Sequence, residues 1–201
     1  FMEYTTKAYA SEKSPLELSF IPIHPGDILS YGGYHFEVKL LRGHTFGQCG
    51  LYEPEKKLMF VGDQLMTTIV PIVGTQETDL GMLKCYLNSL GDLKHNYKDC
   101  YFLPCHYGEI KNVEKEVNRI ILGYLEKCEI MKHVLEEAGT ALTTRDIGVR
   151  TYGRSQGPPD YAHFASCTQI WAKTFSCMEY MMGEGFVERS ERDGIIYWKA
   201  I

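Results

Sequence analysis

The chain has 201 residues, 44% of them hydrophobic and 23% charged, with a formal net charge of −5. These values suit a soluble globular protein of one large domain or two small ones, with a sizeable buried core. The acidic balance supplies no basic field for nucleic acid or an anionic membrane, and no apolar run approaches the roughly 20 residues that span a bilayer.

The first residues, FMEYTTKAYASEKSP, lack an apolar stretch of signal-peptide type, so a cytosolic setting is expected. In chain order, Tyr34, Phe36 and Val38 alternate with His35, Glu37 and Lys39, the two-residue period of a half-buried strand. Gly32-Gly33 supplies a hairpin turn before it. Gly50–Tyr52 and Leu58–Val61 read as two further strands. The charged turn Glu53-Pro54-Glu55-Lys56-Lys57 joins them into a hairpin. A helix is expected over Asp79–Leu93, where Leu80, Leu83, Leu87 and Leu90 recur at helical spacing. Cys100–Leu103 is a short apolar strand ended by Pro104.

Composition changes near Val113, which divides the chain into 1–112 and 113–201. A long helix spans Val113–Ala138. Its stripe is Val117, Ile120, Ile121, Tyr124, Leu125, Cys128, Met131, Val134 and Leu135, and Gly139 stops it. Thr143 to Asp146 forms a capping box for a shorter helix, and Gly157-Pro158-Pro159 is a loop. A further helix covers Tyr161–Met182, stopped by Gly183, with Trp171, Phe175, Met178, Tyr180 and Met181 expected to bury. Two strands flank Arg192-Asp193-Gly194, a hairpin signal. Helix, short helix, longer helix and hairpin is the layout of a winged helix-turn-helix.

The seven cysteines (Cys49, Cys85, Cys100, Cys105, Cys128, Cys167 and Cys177) are odd in number and include no CxxC pair. They read as small buried residues of a reducing compartment.

Three motifs stand at strand ends. His44 lies in GHTFG, Asp63 in GD and His106 in FLPCHYG. Imidazole and carboxylate are ligands for zinc and similar divalent ions. The intervals, 19 residues from 44 to 63 and 43 from 63 to 106, are too long for a zinc finger. They suit ligands gathered from the ends of neighbouring strands. Each residue alone reads more readily as a hydrogen-bonded structural residue than as a ligand. The repeated context of apolar strand, glycine or proline, ligand type and nearby glycine favours a site.

GHTFGQCGLYEPEKKLMFVGDQLM resembles two metal motifs of the metallo-β-lactamase superfamily, G-H-T-x-G and the later G-D. LPCHYG resembles its P-G-H-G motif. TTIVPIV resembles the segment after G-D in a branch that carries a C-terminal winged helix, that of β-lactamase-like protein 2, related to glyoxalase II. The resemblance runs from about Pro22 to the C-terminus. It implies an α/β (α+β) fold: the second half of an αββα sandwich over 1–112, then a linking helix and winged helix over 113–201. It also implies that His44 completes one zinc position, Asp63 bridges two zinc ions and His106 ligates the second. Such a centre lowers the pKa of bound water, and the hydroxide attacks a small-molecule ester, thioester or lactam, or a phosphodiester. Thr45 and Gly47 would shape the loop presenting His44.

Two departures stand out. Cys105 replaces the usual Gly before the last His, and could pack, crowd the site or offer a sulfur ligand. The motif H-x-H-x-D-H is absent, because no two of the seven histidines are separated by one residue. The expectation is a fragment of a larger hydrolase, with weak metal binding and no useful turnover alone. The alternative is a non-catalytic winged-helix interaction module on a degenerate scaffold. Half a sandwich would leave one sheet face bare, so a homo-oligomer or association with the missing half is expected. From Tyr124 onward nine Lys or Arg stand against eleven acids, which argues against nucleic acid. Arg189 and Arg192 are the one clustered basic feature there.

Overall fold

A computed structural model describes residues 21–73, 81–153 and 161–201, without the side chains of 161–168. Five strands form the first sheet: β1 (Ile28–Tyr31), β2 (Tyr34–Leu40), β3 (Cys49–Glu53), β4 (Leu58–Gly62) and β5 (Tyr101–Pro104), in spatial order β1-β2-β3-β4-β5. The first four form an antiparallel meander, and β5 joins β4 in parallel. A parallel neighbour needs a long crossover. Here the crossover contains helix α1 (Met82–Asn96). The Gly32-Gly33 turn takes φ +58° and +82°, which the tight two-residue hairpin between β1 and β2 requires.

The period of two divides this sheet into unlike faces. Met59, Val61 and Phe102 are at most 1% exposed and share one core with Leu83, Leu90 and Leu93 of α1. By register the opposite face carries Tyr31, Tyr34, Phe36, Leu51, Phe60, Tyr101 and Leu103. Phe36 stacks on Tyr34 and meets Phe60 edge to face, each at 5.7 Å between centroids. Tyr31, Tyr34, Phe60 and Tyr101 on that face are exposed.

Helix α2 (Val113–Ala138) has the expected bounds. The Asn112 side chain caps it by accepting from Lys115 N at 2.9 Å, and Glu114 and Glu116 lie at its positive end. Gly139, at φ +60°, closes the other end with its N–H on Leu135 O and Glu136 O. Then follow β6 (Leu142–Thr143), α3 (Thr144–Tyr152), α4 (Tyr161–Gly183), β7 (Val187–Arg192) and β8 (Ile195–Ala200). The second sheet is ordered β6-β8-β7. Thr143 Oγ1 accepts from Asp146 N at 3.1 Å and also donates to the Asp146 carboxylate at 2.7 Å. The capping pair is therefore present, with the hydroxyl making both contacts. Asp193-Gly194, φ +52° and +74°, forms the two-residue turn.

Trp198 on β8 fastens the second sheet to the helices. It is fully buried, donates Nε1–H to Thr144 Oγ1 at 2.8 Å and meets Phe175 edge to face at 5.6 Å. One continuous cluster of buried side chains runs from Met59 through α1 and α2 to Trp198.

Several elements differ from the sequence expectations. α1 begins at Met82, and Asp79 and Leu80 lie outside the described residues, as do Gly157-Pro158-Pro159. On α4, Met178 and Met181 are buried as expected, but Trp171 is 37% exposed. It shares a helix side with the buried Thr174 and Met178, three and seven residues on, so its exposure comes from its place one to two turns nearer the start of α4 and not from its direction. Cys105 is exposed, so it does not pack. Among the described residues no helix is long and apolar enough to cross a membrane.

Replacing Trp198 with Ala removes a large buried ring and a hydrogen bond. Trp198→Ala is expected to lower the unfolding free energy by about 3–5 kcal/mol, read by urea denaturation with unchanged m as the check on two-state behaviour.

Candidate metal centre

The three ligand candidates sit where strands β2, β4 and β5 run out into loops. His44 follows β2 in a tight loop closed by Leu41 N to Gln48 O at 2.7 Å and Gly43 N to Thr45 O at 3.2 Å. Gly43 has φ +151°, and a Cβ there would overlap Tyr86 Cδ2 and Cβ. No other residue type fits this approach of backbone to α1. Asp63 follows β4, directly after Gly62 at φ +56°, where a Cβ would overlap the Gln48 side-chain amide. His106 follows β5. Cys105 N donates to Gly62 O at 3.2 Å, which ties the end of β5 to the end of β4. Thr67 Oγ1 donates to Tyr107 O at 3.1 Å on the far side of His106.

These loops bring all three residues together. Asp63 Oδ2 lies 3.5 Å from His44 Nε2, and Asp63 Oδ1 lies 3.5 Å from His106 Nε2. The carboxylate thus stands between two imidazoles, one oxygen toward each. His44 Nδ1 is 2.7 Å from the Ile72 carbonyl oxygen. A carbonyl only accepts, so Nδ1 carries the hydrogen, and in the neutral ring Nε2 presents its lone pair to Asp63. This is the arrangement by which a second partner fixes a ligating imidazole. Asp63 Oδ1 is buried and makes no hydrogen bond. A lone pair facing a carboxylate oxygen is an unfavourable pairing that a cation between them would relieve. The donor set therefore fits a divalent metal.

The fit is partial. Among the described residues, no three His, Cys, Asp or Glu side chains gather around one point as a complete metal cage would need. His106 is also 60% exposed on its side chain, against 26% for His44 and 29% for Asp63. Its half of the site is open.

Composition gave no hint of the supporting residues. Gln64, fully buried, donates to Arg42 O at 3.3 Å and Ser89 Oγ at 2.9 Å, and its Oε1 is 3.4 Å from His44 N. Tyr86 donates its hydroxyl to Gln64 O at 2.8 Å. The signal available in sequence was a single amide set directly between the Gly62-Asp63 pair and the apolar Leu65-Met66. Residues 66–73, which follow, form an irregular strap whose polar backbone is satisfied by side chains. Arg119 donates to Met66 O at 2.7 Å and to Ile69 O at 3.2 Å. Tyr124 donates to Pro71 O at 2.6 Å and accepts from Val73 N at 3.0 Å. Lys173 donates to Val70 O at 3.3 Å.

Arg189 and Arg192 do not converge. Three apart on β7, they point to opposite faces. Arg189 lies over Trp198 at 6.0 Å and Arg192 over Tyr197 at 5.3 Å.

A metallo-β-lactamase family protein of Thermus thermophilus superposes on 99% of the chain with a TM-score of 0.75 at 21% identity. A β-lactamase domain protein of Burkholderia ambifaria superposes on 98% with a TM-score of 0.77 at 17% identity. The chain has the metallo-β-lactamase fold. It spans 64% and 60% of the lengths of those two structures. Over 40 residues, 20% of the chain, it is 50% identical to hydroxyacylglutathione hydrolase GloC of Haemophilus influenzae, and this stretch is 19% of that protein. No family model matches the chain.

Gln64→Met keeps the side chain's length and removes its amide. It leaves the Arg42 carbonyl and the Ser89 hydroxyl short of a partner. A loss of about 1–3 kcal/mol is expected in urea unfolding, and a change below a few tenths of a kcal/mol would show that the amide does not hold the site.

Proposed function

We propose that this chain is the ligand-bearing C-terminal part of a metal-dependent hydrolase of the metallo-β-lactamase superfamily. The observation that carries the reading is the Asp63 carboxylate held between His44 Nε2 and His106 Nε2, with Oδ1 buried and unbonded. His44, Asp63 and His106 would hold the metal, which we take to be zinc. When bound it would activate water near neutral pH and polarise the group attacked. The chain's own contribution is positional. Ile72 O orients the His44 ring, Gln64 braces its backbone, and the Cys105–Gly62 bond sets His106 against Asp63.

The substrate class is a small ester, thioester or phosphodiester. Three ligand positions fall short of a dinuclear site, and the sequence contains no H-x-H-x-D-H. The chain alone is therefore weak in metal binding and without useful turnover, and the remaining ligands come from a further segment of polypeptide. Among the described residues no two cysteines are joined in a disulfide, which supports a reducing, cytoplasmic setting.

The helix–strand–helix–helix–hairpin order, with β6 added to the β7–β8 hairpin, supports a winged-helix domain over 113–201. Its bases are spread, and Arg189 and Arg192 lie on opposite faces of β7, so we assign it packing rather than nucleic-acid binding. The absent histidine motif favours one alternative, a non-catalytic interaction module on the same scaffold.

Elemental analysis after dialysis against zinc, with a panel of ester, thioester and phosphodiester substrates, separates the outcomes. Substoichiometric zinc that falls further in Asp63→Asn, with no turnover, is expected. Full occupancy with robust hydrolysis would overturn the fragment reading, and zinc retention indifferent to Asp63→Asn would overturn the site.

The half-covered aromatic face of the first sheet supports self-association or docking of the missing half. Light scattering on the chain alone should show a concentration-dependent dimer that Phe60→Lys weakens. A monomer at all concentrations would count against self-association.

A further inference from the structure

A cavity of about 170 Å³ opens among Val70, Gly123, Tyr124, Lys127, Tyr152 and Lys173. None of the three ligand candidates lines it. Its walls come from the 66–73 strap and from α2, α3 and α4, and most of the lining is apolar. Two amines border this small space. Lys173 Nζ reaches only the Val70 carbonyl, at 3.3 Å, and Lys127 Nζ lies 5.2 Å from the centre of the Tyr152 ring. Among the described residues neither amine has a carboxylate within ion-pair distance. Burial pushes the Lys173 amine down from its usual range, against an opposing influence of Cys177 and with a smaller one from Lys127 in the same direction.

Two neighbouring cations in an apolar cleft are costly without a counter-charge. Gly123 lines the cavity from the middle of α2, and a Cβ there would meet Val70 Cγ2 of the strap at 3.4 Å, an ordinary contact.

We propose that this cavity binds a small organic carboxylate with a compact apolar body. Lys127 and Lys173 neutralise the carboxylate, and Val70 and the rings of Tyr124 and Tyr152 pack the body. Inorganic phosphate fits less well, because its oxygens call for donors on several sides and the Tyr124 hydroxyl is already committed to Pro71 O and Val73 N. The site depends neither on a metal nor on the hydrolase reading.

Benzoate and inorganic phosphate titrated separately into the metal-free full chain, followed by amide NMR, provide the test. Saturable benzoate shifts centred on Val70, Gly123 and Tyr152 are expected, with phosphate weaker. Lys127→Met and Lys173→Met should each weaken benzoate by about ten- to a hundredfold, the loss of one charge-assisted contact. In the unaltered protein, benzoate should also slow acylation of Lys173 by an amine reagent, a readout that survives if a variant fails to fold. No saturation by benzoate, tighter binding of phosphate, unchanged affinity in both folded variants, or no protection of Lys173 would overturn the proposal.

Discussion

The bond from His44 Nδ1 to the Ile72 carbonyl joins two parts of the chain that have no other reason to meet. It fixes which imidazole nitrogen faces Asp63. It can do so only if Ile72 is itself held still, and Ile72 belongs to a strap with no regular secondary structure. A part-buried backbone of this kind must find partners for its polar groups. Arg119 and Tyr124 of α2 and Lys173 of α4 supply them. The helices beyond residue 113 are thus structural members of the candidate metal centre, although none of their side chains is a ligand.

The sheet contributes the other constraint. Pairing of β4 with β5 places Gly62 opposite Pro104, so the residues that follow each strand emerge side by side. Gly62 turns the chain sharply at a point already filled by the Gln48 amide. Asp63 is thereby directed between the two histidines rather than along the strand. Tyr86 fills the space under Gly43 and supports Gln64 from α1. His44 thus depends on a close backbone approach at Gly43 that a larger residue would block, and Asp63 on the left-handed turn at Gly62.

The same alternation that builds the core creates the exposed aromatic face. A strand with large apolar residues on both sides is suited to burial on both sides. Here α1 and α2 cover one side, while Tyr34, Phe36 and Phe60 lie on the other. The site is open at His106, and the chain spans about three-fifths of the length of its structural relatives.

Much of this was legible in the sequence, because it rests on local rules. Two-residue alternation marked β2 and short apolar runs between turns marked β3, β4 and β5, helical spacing and the Val113 to Gly139 frame delimited α2, and Asp193-Gly194 fixed the last hairpin, while β1 and β6 went unmarked. The three ligand candidates showed themselves through a repeated strand-end context. Tertiary structure alone decided what surrounds them. Gln64, Ile72, Arg119 and Tyr124 act across 20 to 53 residues of chain, and their partners are mostly backbone groups, which leave no trace in residue type. It also decided that Cys105 faces solvent, that Trp171 stays partly exposed, and that two lysines from different helices border one cavity. Sequence periodicity says which side of an element is apolar; which element meets that side is set by packing across the whole chain.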